Sequence, residues 1–195
     1  PPCHEKENRV KSFGGTIGSY GSIEQISKFN LPNLEASDIT GFFQNGCEFS
    51  VLGLYDRVAI INITDALNPH IISTIQGGNS IWRDVKYYNK TVYIGTEAND
   101  GIKVVDVSDL FNPVEVSSIS YVEGEGSIDN SHNIWTDNGY LYVVGADIND
   151  LWIFDIQNDP KIPIFVGRWN EEYIHDIDIV GNLLFAACIY SGHFY

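Results

Sequence analysis

The chain has 195 residues, 44% of them hydrophobic and 19% charged, a balance that excludes a disordered polypeptide. A formal net charge of −15 argues against a nucleic-acid partner gripped by its phosphates and against docking on anionic lipid, since both need basic surface. No apolar run approaches the roughly 20 residues a membrane-spanning helix requires, and the acidity suits an exported protein kept in solution by its own charge.

From the N-terminus, residues 1–25 read as an extension or a closing strand that leads into the first apolar segment, Ile26-Ser-Lys-Phe29. The chain opens Pro1-Pro2-Cys3 without a signal peptide, which is the start expected of a processed or truncated product. Cys3, Cys47 and Cys188 make an odd count, so at least one thiol is free or paired outside the chain. Cys3, in a polar terminus, is the candidate for a bridge to another chain. Cys188, inside the apolar run Leu183–Tyr190, is expected to be a buried core thiol. No close Cys or His spacing exists to hold zinc.

Three segments then repeat. Arg57–Pro69, Gly101–Pro113 and Asp150–Pro160 each run as an apolar strand, an Asn or Asp (Asn62, Asp106, Asp155), one further apolar residue and a turn ending in Pro. A second strand follows each: Ile71–Ile75, Val114–Ile119 and Ile164–Trp169, with Ile26–Phe29 as the same strand of a preceding unit. Next comes a pair of polar residues before an aliphatic one, as Ser37-Asp38-Ile39, Arg83-Asp84-Val85, His132-Asn133-Ile134 and His175-Asp176-Ile177. Hairpins at Tyr88–Thr91 and Asp137-Asn138-Gly139 lead to strands that end at Gly95 and Gly145. Tyr and Phe are abundant beside Ile and Val, and no helical period is visible.

Four short strands in a unit of about 46 residues predict an all-β fold, a β-propeller of four-stranded antiparallel blades. About three and a half blades fit the chain, half of a ring of six to eight with seven the expected number. Residues 1–195 are therefore expected to be a partial propeller, because the last unit is incomplete at Tyr195. Open blade faces and strand edges are an association hazard, so a second polypeptide, such as the other half of a cleaved precursor, is expected to complete the ring.

Val104-Val-Asp-Val-Ser-Asp109 and Ile153-Phe-Asp-Ile156 resemble LVIVD repeats. Gly78-Asn-Ser-Ile-Trp-Arg-Asp-Val85, Thr96–Gly101, Ser131-His-Asn133 and Tyr173-Ile-His-Asp176 resemble the propeller domain of the choice-of-anchor B proteins, over residues 26–195. The resemblance implies a secreted or surface propeller without a settled activity.

The polar pairs are the candidate site. The strand after an inter-blade loop is innermost in a propeller, so Ser37-Asp38, Arg83-Asp84, His132-Asn133 and His175-Asp176 should approach one level of the central channel. Capping of backbone groups, or pairing with the neighbouring blade, is the structural role open to the same residues. The two His and a carboxylate could instead hold a metal or act in acid–base chemistry, although no spacing forces them together. Trp82 and Tyr173 lie at loop ends beside these pairs, whereas Trp135 and Trp169 sit within strand patterns and read as core. No catalytic motif and no cofactor or metal motif is present. Sequons stand at Asn62 and Asn89, and the turn position favours a glycan on Asn89. The expected function is a secreted, lectin-like module that binds glycans through Trp82, Arg83, Asp84, His132, Asn133, Tyr173, His175 and Asp176. A propeller hydrolase or lyase using the channel His and Asp residues is the first alternative, and a structural adhesive or matrix protein the second.

Overall fold

The structure is a computed structural model and describes residues 25–31, 35–145 and 150–195. Strand is the only regular structure among them. The first sheet comprises β1 (Ala36–Gln44), β2 (Cys47–Leu54), β3 (Arg57–Asn62) and β4 (His70–Gln76). The second comprises β5 (Arg83–Tyr88), β6 (Thr91–Thr96), β7 (Ile102–Asp106) and β8 (Val114–Ile119). A small hairpin of β9 (Tyr121–Val122) and β10 (Gly126–Ser127) precedes the third sheet: β11 (Asn133–Asp137), β12 (Tyr140–Val144), β13 (Leu151–Asp155) and β14 (Ile164–Trp169). The fourth has three strands, β15 (Asp176–Val180), β16 (Leu183–Cys188) and β17 (His193–Phe194). Every pairing is antiparallel between consecutive strands.

The repeat explains why each sheet folds alike. The first hairpin of each four-stranded sheet turns on two residues of positive φ: Asn45-Gly46, Asn89-Lys90 and Asn138-Gly139. That backbone matches the twist of the flanking strands. After the third strand, the repeat's Asn or Asp folds the chain back by accepting a backbone N–H two residues on, Thr64 to Asn62, Ser108 to Asp106 and Gln157 to Asp155. Pairing of the third and fourth strands slips at one place in all three sheets, between Ile60 and Ile61, Val104 and Val105, and Ile153 and Phe154. The residue left over on the outer strand, Ile72, Val116 or Val166, makes a β-bulge that sharpens the local twist.

The sheets stack face to face, with β1 beside β5, β5 beside β11 and β11 beside β15. Middle strands are covered on both sides and so read as unbroken apolar runs. Val92 and Ile94 face the first sheet's Val51, Val58 and Ile60, while Tyr93 faces the third sheet's Ile134, Leu141 and Trp152. A third core joins Val144 and Leu151 to Ile177, Ala186 and Cys188 of the fourth sheet.

One expectation is corrected. Ile26–Phe29 is no strand: no described sheet precedes the first one to pair with it, and Ile26 and Phe29 run exposed. The aliphatic residue of the inner-strand signature is buried at Val85, Ile134 and Ile177, but Ile39 is 62% exposed, because no sheet among the described residues covers that face of β1. Cys188 is free and buried, and burial pushes its thiol up. Cys47 is disulfide-bonded, and Cys3 lies outside the described residues.

Candidate functional site

The inner strands begin at one level, so the polar pairs do converge. A cleft of about 590 Å³ opens there, lined by Trp82, His132, Asn133, His175 and Asp176 together with Glu35, Ser37, Asp38, Ile81, Arg83 and Asp84. Seven of the eight predicted binding residues therefore line it. Tyr173 stands apart, its ring 4.9 Å from Tyr190 and its hydroxyl against Gly145.

Within that cleft the aspartates do two different things. Asp38 accepts the backbone N–H of Val85 at 3.0 Å and pairs with Lys86 at 2.6 Å. Asp84 repeats the contact one sheet further, accepting from Ile134 at 3.0 Å with Lys86 3.6 Å away. Each thus ties the inner strand of its own sheet to that of the next. Burial pushes the Asp84 carboxyl up, against the opposing pull of Lys86. The series stops there. Asn133 Oδ1 is buried without a hydrogen-bond partner, and Asp176 turns onto its own strand, accepting from Ile177 at 2.9 Å, and is exposed.

Arg83 differs from expectation. Its guanidinium is turned away from the cleft and donates to the carbonyls of Leu54, Tyr55 and Gly78, leaving the residue 1% exposed. Gly77 makes room for it, since a Cβ there would collide with the guanidinium. Arg83 fixes the loop, and a fork of donors for a ligand is not available from it.

Trp82 is the exposed aromatic of the site, at 48%. Its backbone is held by Ser80 and Thr96: Ser80 Oγ accepts its N–H at 3.0 Å, while Ser80 Oγ and Thr96 Oγ1 donate to its carbonyl at 2.8 and 3.2 Å. The indole stands 5.5 Å from the His132 ring, which is 4.1 Å from that of His175, so three rings form a row. Glu97, absent from the sequence-derived site, anchors the row. Its Oε1 lies 2.6 Å from His132 Nδ1. A carboxylate only accepts, so Nδ1 carries a proton and is turned to Glu97. The signal was the Thr96-Glu97 pair at the end of β6, one sheet before His132.

Trp135 and Trp169 are half-buried against the third core, in the structural role read for them. Among the described residues no group of three or more His, Cys, Asp and Glu is arranged to hold a metal ion. Asn89 is exposed at its hairpin tip with φ of 41°, whereas Asn62 is engaged by Thr64.

Residues 81–120 and 129–171 match the LVIVD repeat, and each match covers one four-stranded sheet, β5–β8 and β11–β14. No curated protein sequence matches the chain. Among solved structures, it superposes on a candidate 6-phosphogluconolactonase from Bacteroides uniformis with a TM-score of 0.61 at 19% identity, covering 77% of this chain and 47% of that one. It superposes on Raptor from Chaetomium thermophilum with a TM-score of 0.58 at 15% identity, covering 83% of this chain and 16% of that one. The chain thus spans less than half the length of either. At such identities the likeness is one of fold, and the fold is propeller-like with LVIVD repeats.

Proposed function

We propose that the chain is a lectin-like carbohydrate-binding module of a secreted propeller, with its sugar site in the cleft at the start of the inner strands. The observation that carries this reading is Trp82, half-exposed at the cleft with its backbone pinned, beside polar groups that are not all consumed by the fold. A sugar's C–H face stacks on an indole while its hydroxyls meet fixed donors and acceptors, here His132, His175 and Asp176. Asp84 contributes shape more than ligand bonds, since Ile134 and Lys86 occupy its carboxylate.

An oxidising compartment is favoured by the disulfide at Cys47. Further blades, from a second polypeptide, complete the ring in this reading. Its support is apolar surface that no other described residue covers, Ile39 on β1 and Val180, Leu183 and Phe194 on the fourth sheet. Affinity at one shallow site is expected near millimolar, about 4 kcal/mol, so multivalent display supplies tight binding. Titration calorimetry against a glycan panel and haemagglutination test the reading: heat and sugar-inhibitable agglutination are expected, both reduced by Trp82→Ala. No heat with any glycan and no agglutination would remove it.

A second reading, a hydrolase or lyase, is favoured by the Glu97–His132 contact, which orients an imidazole as a general base does. It predicts turnover of a sugar lactone that is lost in His132→Ala and weakened in Glu97→Gln.

A further inference from the structure

The cleft selects by charge. Four carboxylates line it, those of Glu35, Asp38, Asp84 and Asp176, and Glu97 stands behind His132. Among the described lining residues the one fixed cation is Arg83, and its guanidinium faces the Leu54, Tyr55 and Gly78 carbonyls. Lys86 is drawn between Asp38 and Asp84, with its side chain 15% exposed. Among the described lining residues, a phosphate, sulfate or uronate entering the cleft thus meets four carboxylates and finds no guanidinium or ammonium to pair with, only the imidazoles of His132 and His175. Asp176 and Glu35, by contrast, are exposed, and no lysine or arginine among the described residues forms an ion pair with Glu35. Beside them lies the half-exposed face of Trp82, which attracts cations through its ring quadrupole.

We infer that the ligand is an amino-sugar oligomer carrying free, protonated amines, which pair with the open carboxylates of Asp176 and Glu35 while Trp82 stacks on a ring. This rests on the carbohydrate reading above and narrows it to one chemical class. An ammonium donates up to three hydrogen bonds, and a bond to a charged acceptor is stronger than one between neutral groups. N-acetylation removes the charge and two of those donors without changing the ring, so the acetylated sugar is the matched control.

The test is titration calorimetry of the whole chain with three tetrasaccharides: β-1,4-linked glucosamine, its N-acetylated form, and galacturonate. At about pH 6 an amine of ordinary basicity is protonated. The glucosamine tetramer is expected to bind about tenfold more tightly than the N-acetylated one, a difference the size of one charge-assisted hydrogen bond, with no heat from galacturonate. Asp176→Asn should bring the two affinities together, by weakening the glucosamine tetramer more than the N-acetylated one. Equal affinity for the glucosamine and N-acetylated tetramers would overturn the charge selection and leave the carbohydrate reading standing, as would tighter binding of galacturonate. Because the chain is strongly acidic, glucosamine binding that survives Trp82→Ala would mean diffuse attraction to the surface, and would also overturn the proposal. Silence from all three sugars would overturn the amino-sugar inference, while heat from another glycan or sugar-inhibitable agglutination would leave the carbohydrate reading standing.

Discussion

The seam between the first three blades and the edge at the fourth are built from the same repeat, yet they use its inner polar pair in opposite ways. At the seam, Asp38 and Asp84 reach across to the backbone of the next inner strand and share Lys86. At the edge, Asp176 caps its own strand and remains exposed, in a sheet of three strands whose Val180, Leu183 and Phe194 face solvent. The repeat position therefore bridges blades at Asp38 and Asp84, leaves Asn133 Oδ1 without a partner although the fourth sheet follows it, and stands exposed at Asp176. The row Trp82–His132–His175 lies between the last completed contact and the first open one.

The largest expected effect comes from crowding the seam. Gly95 lies near the end of β6 just where the third blade approaches, and a Cβ there would collide with Ser131 Oγ and lie 2.8 Å from Ile134 Cγ2. Gly95→Val is expected to cost about 3 kcal/mol, the upper part of the overpacking range. Gly167→Ala on the outer strand β14, where nothing lies within 4 Å, should leave denaturant midpoints nearly unchanged. Equal losses would mean the blades do not meet as described.

Next in size is the aspartate pair. Asp84→Ala leaves the Ile134 N–H buried without an acceptor and should cost about 2 kcal/mol. Asp176→Ala should stay within about 0.5 kcal/mol, as exposed positions do, while altering ligand binding. Chemical denaturation of both variants, side by side, separates the two roles; a reversed order would refute them.

Acid should act on the outer contacts before the inner ones. Burial pushes the Asp106 carboxyl up, but hydrogen bonds from Lys161 and Ser108 outweigh it and hold the group at about 2. Ser191 and then His193 hold Glu172 at about 2 as well. Both sit below an ordinary carboxylate, so both favour the folded state at neutral pH, and that contribution is lost as pH falls from about 4.5 towards 2. Asp84 has the opposite sign, because its raised carboxyl makes folding easier once it is protonated. Melting temperature is expected to fall through this window, less steeply in Asp106→Asn. An identical slope in that variant would remove Asp106 from the account.

The smallest effect on stability is expected at Asn89. A glycan on this exposed hairpin tip should leave the melting temperature within a degree or so, as surface changes do. Peptide mapping after glycosidase treatment should find Asn89 modified and Asn62 bare, since Thr64 engages the Asn62 side chain. A bare Asn89 from a secreting host would refute it.

The blades were legible because their cues are local. Asn-Gly turns, the Asn or Asp after the third strand and the apolar runs act within a few residues, and each recurs. The site was legible as a place, since the inner pairs must share one level, but not as a set of roles. Whether Asp84 meets a ligand or the Ile134 N–H depends on how closely two blades approach, 50 residues apart in sequence. Arg83 was read as a donor for ligands; the Gly77-Gly78 pair that lets it turn inward carries no mark distinguishing it from any loop. Glu97 went unread because its partner, His132, is 35 residues away on the next blade.

Four of the side chains that join the blades reach forward along the chain, whereas Arg83 and Lys86 reach back. Asp38 and Asp84 on the inner strands, and Ser73 and Ser117 on the outer ones, each bond to backbone groups 37 to 50 residues later. Only nearest neighbours are joined, so the folding equilibrium is a sum of unit and neighbour terms, and growth can proceed one unit at a time. During synthesis, each newly emerged hairpin would meet a finished predecessor whose carboxylate and hydroxyl are already in place to receive it. The ribosome's N-to-C order and the direction of these bonds then coincide, and every completed blade is a template for the one behind it.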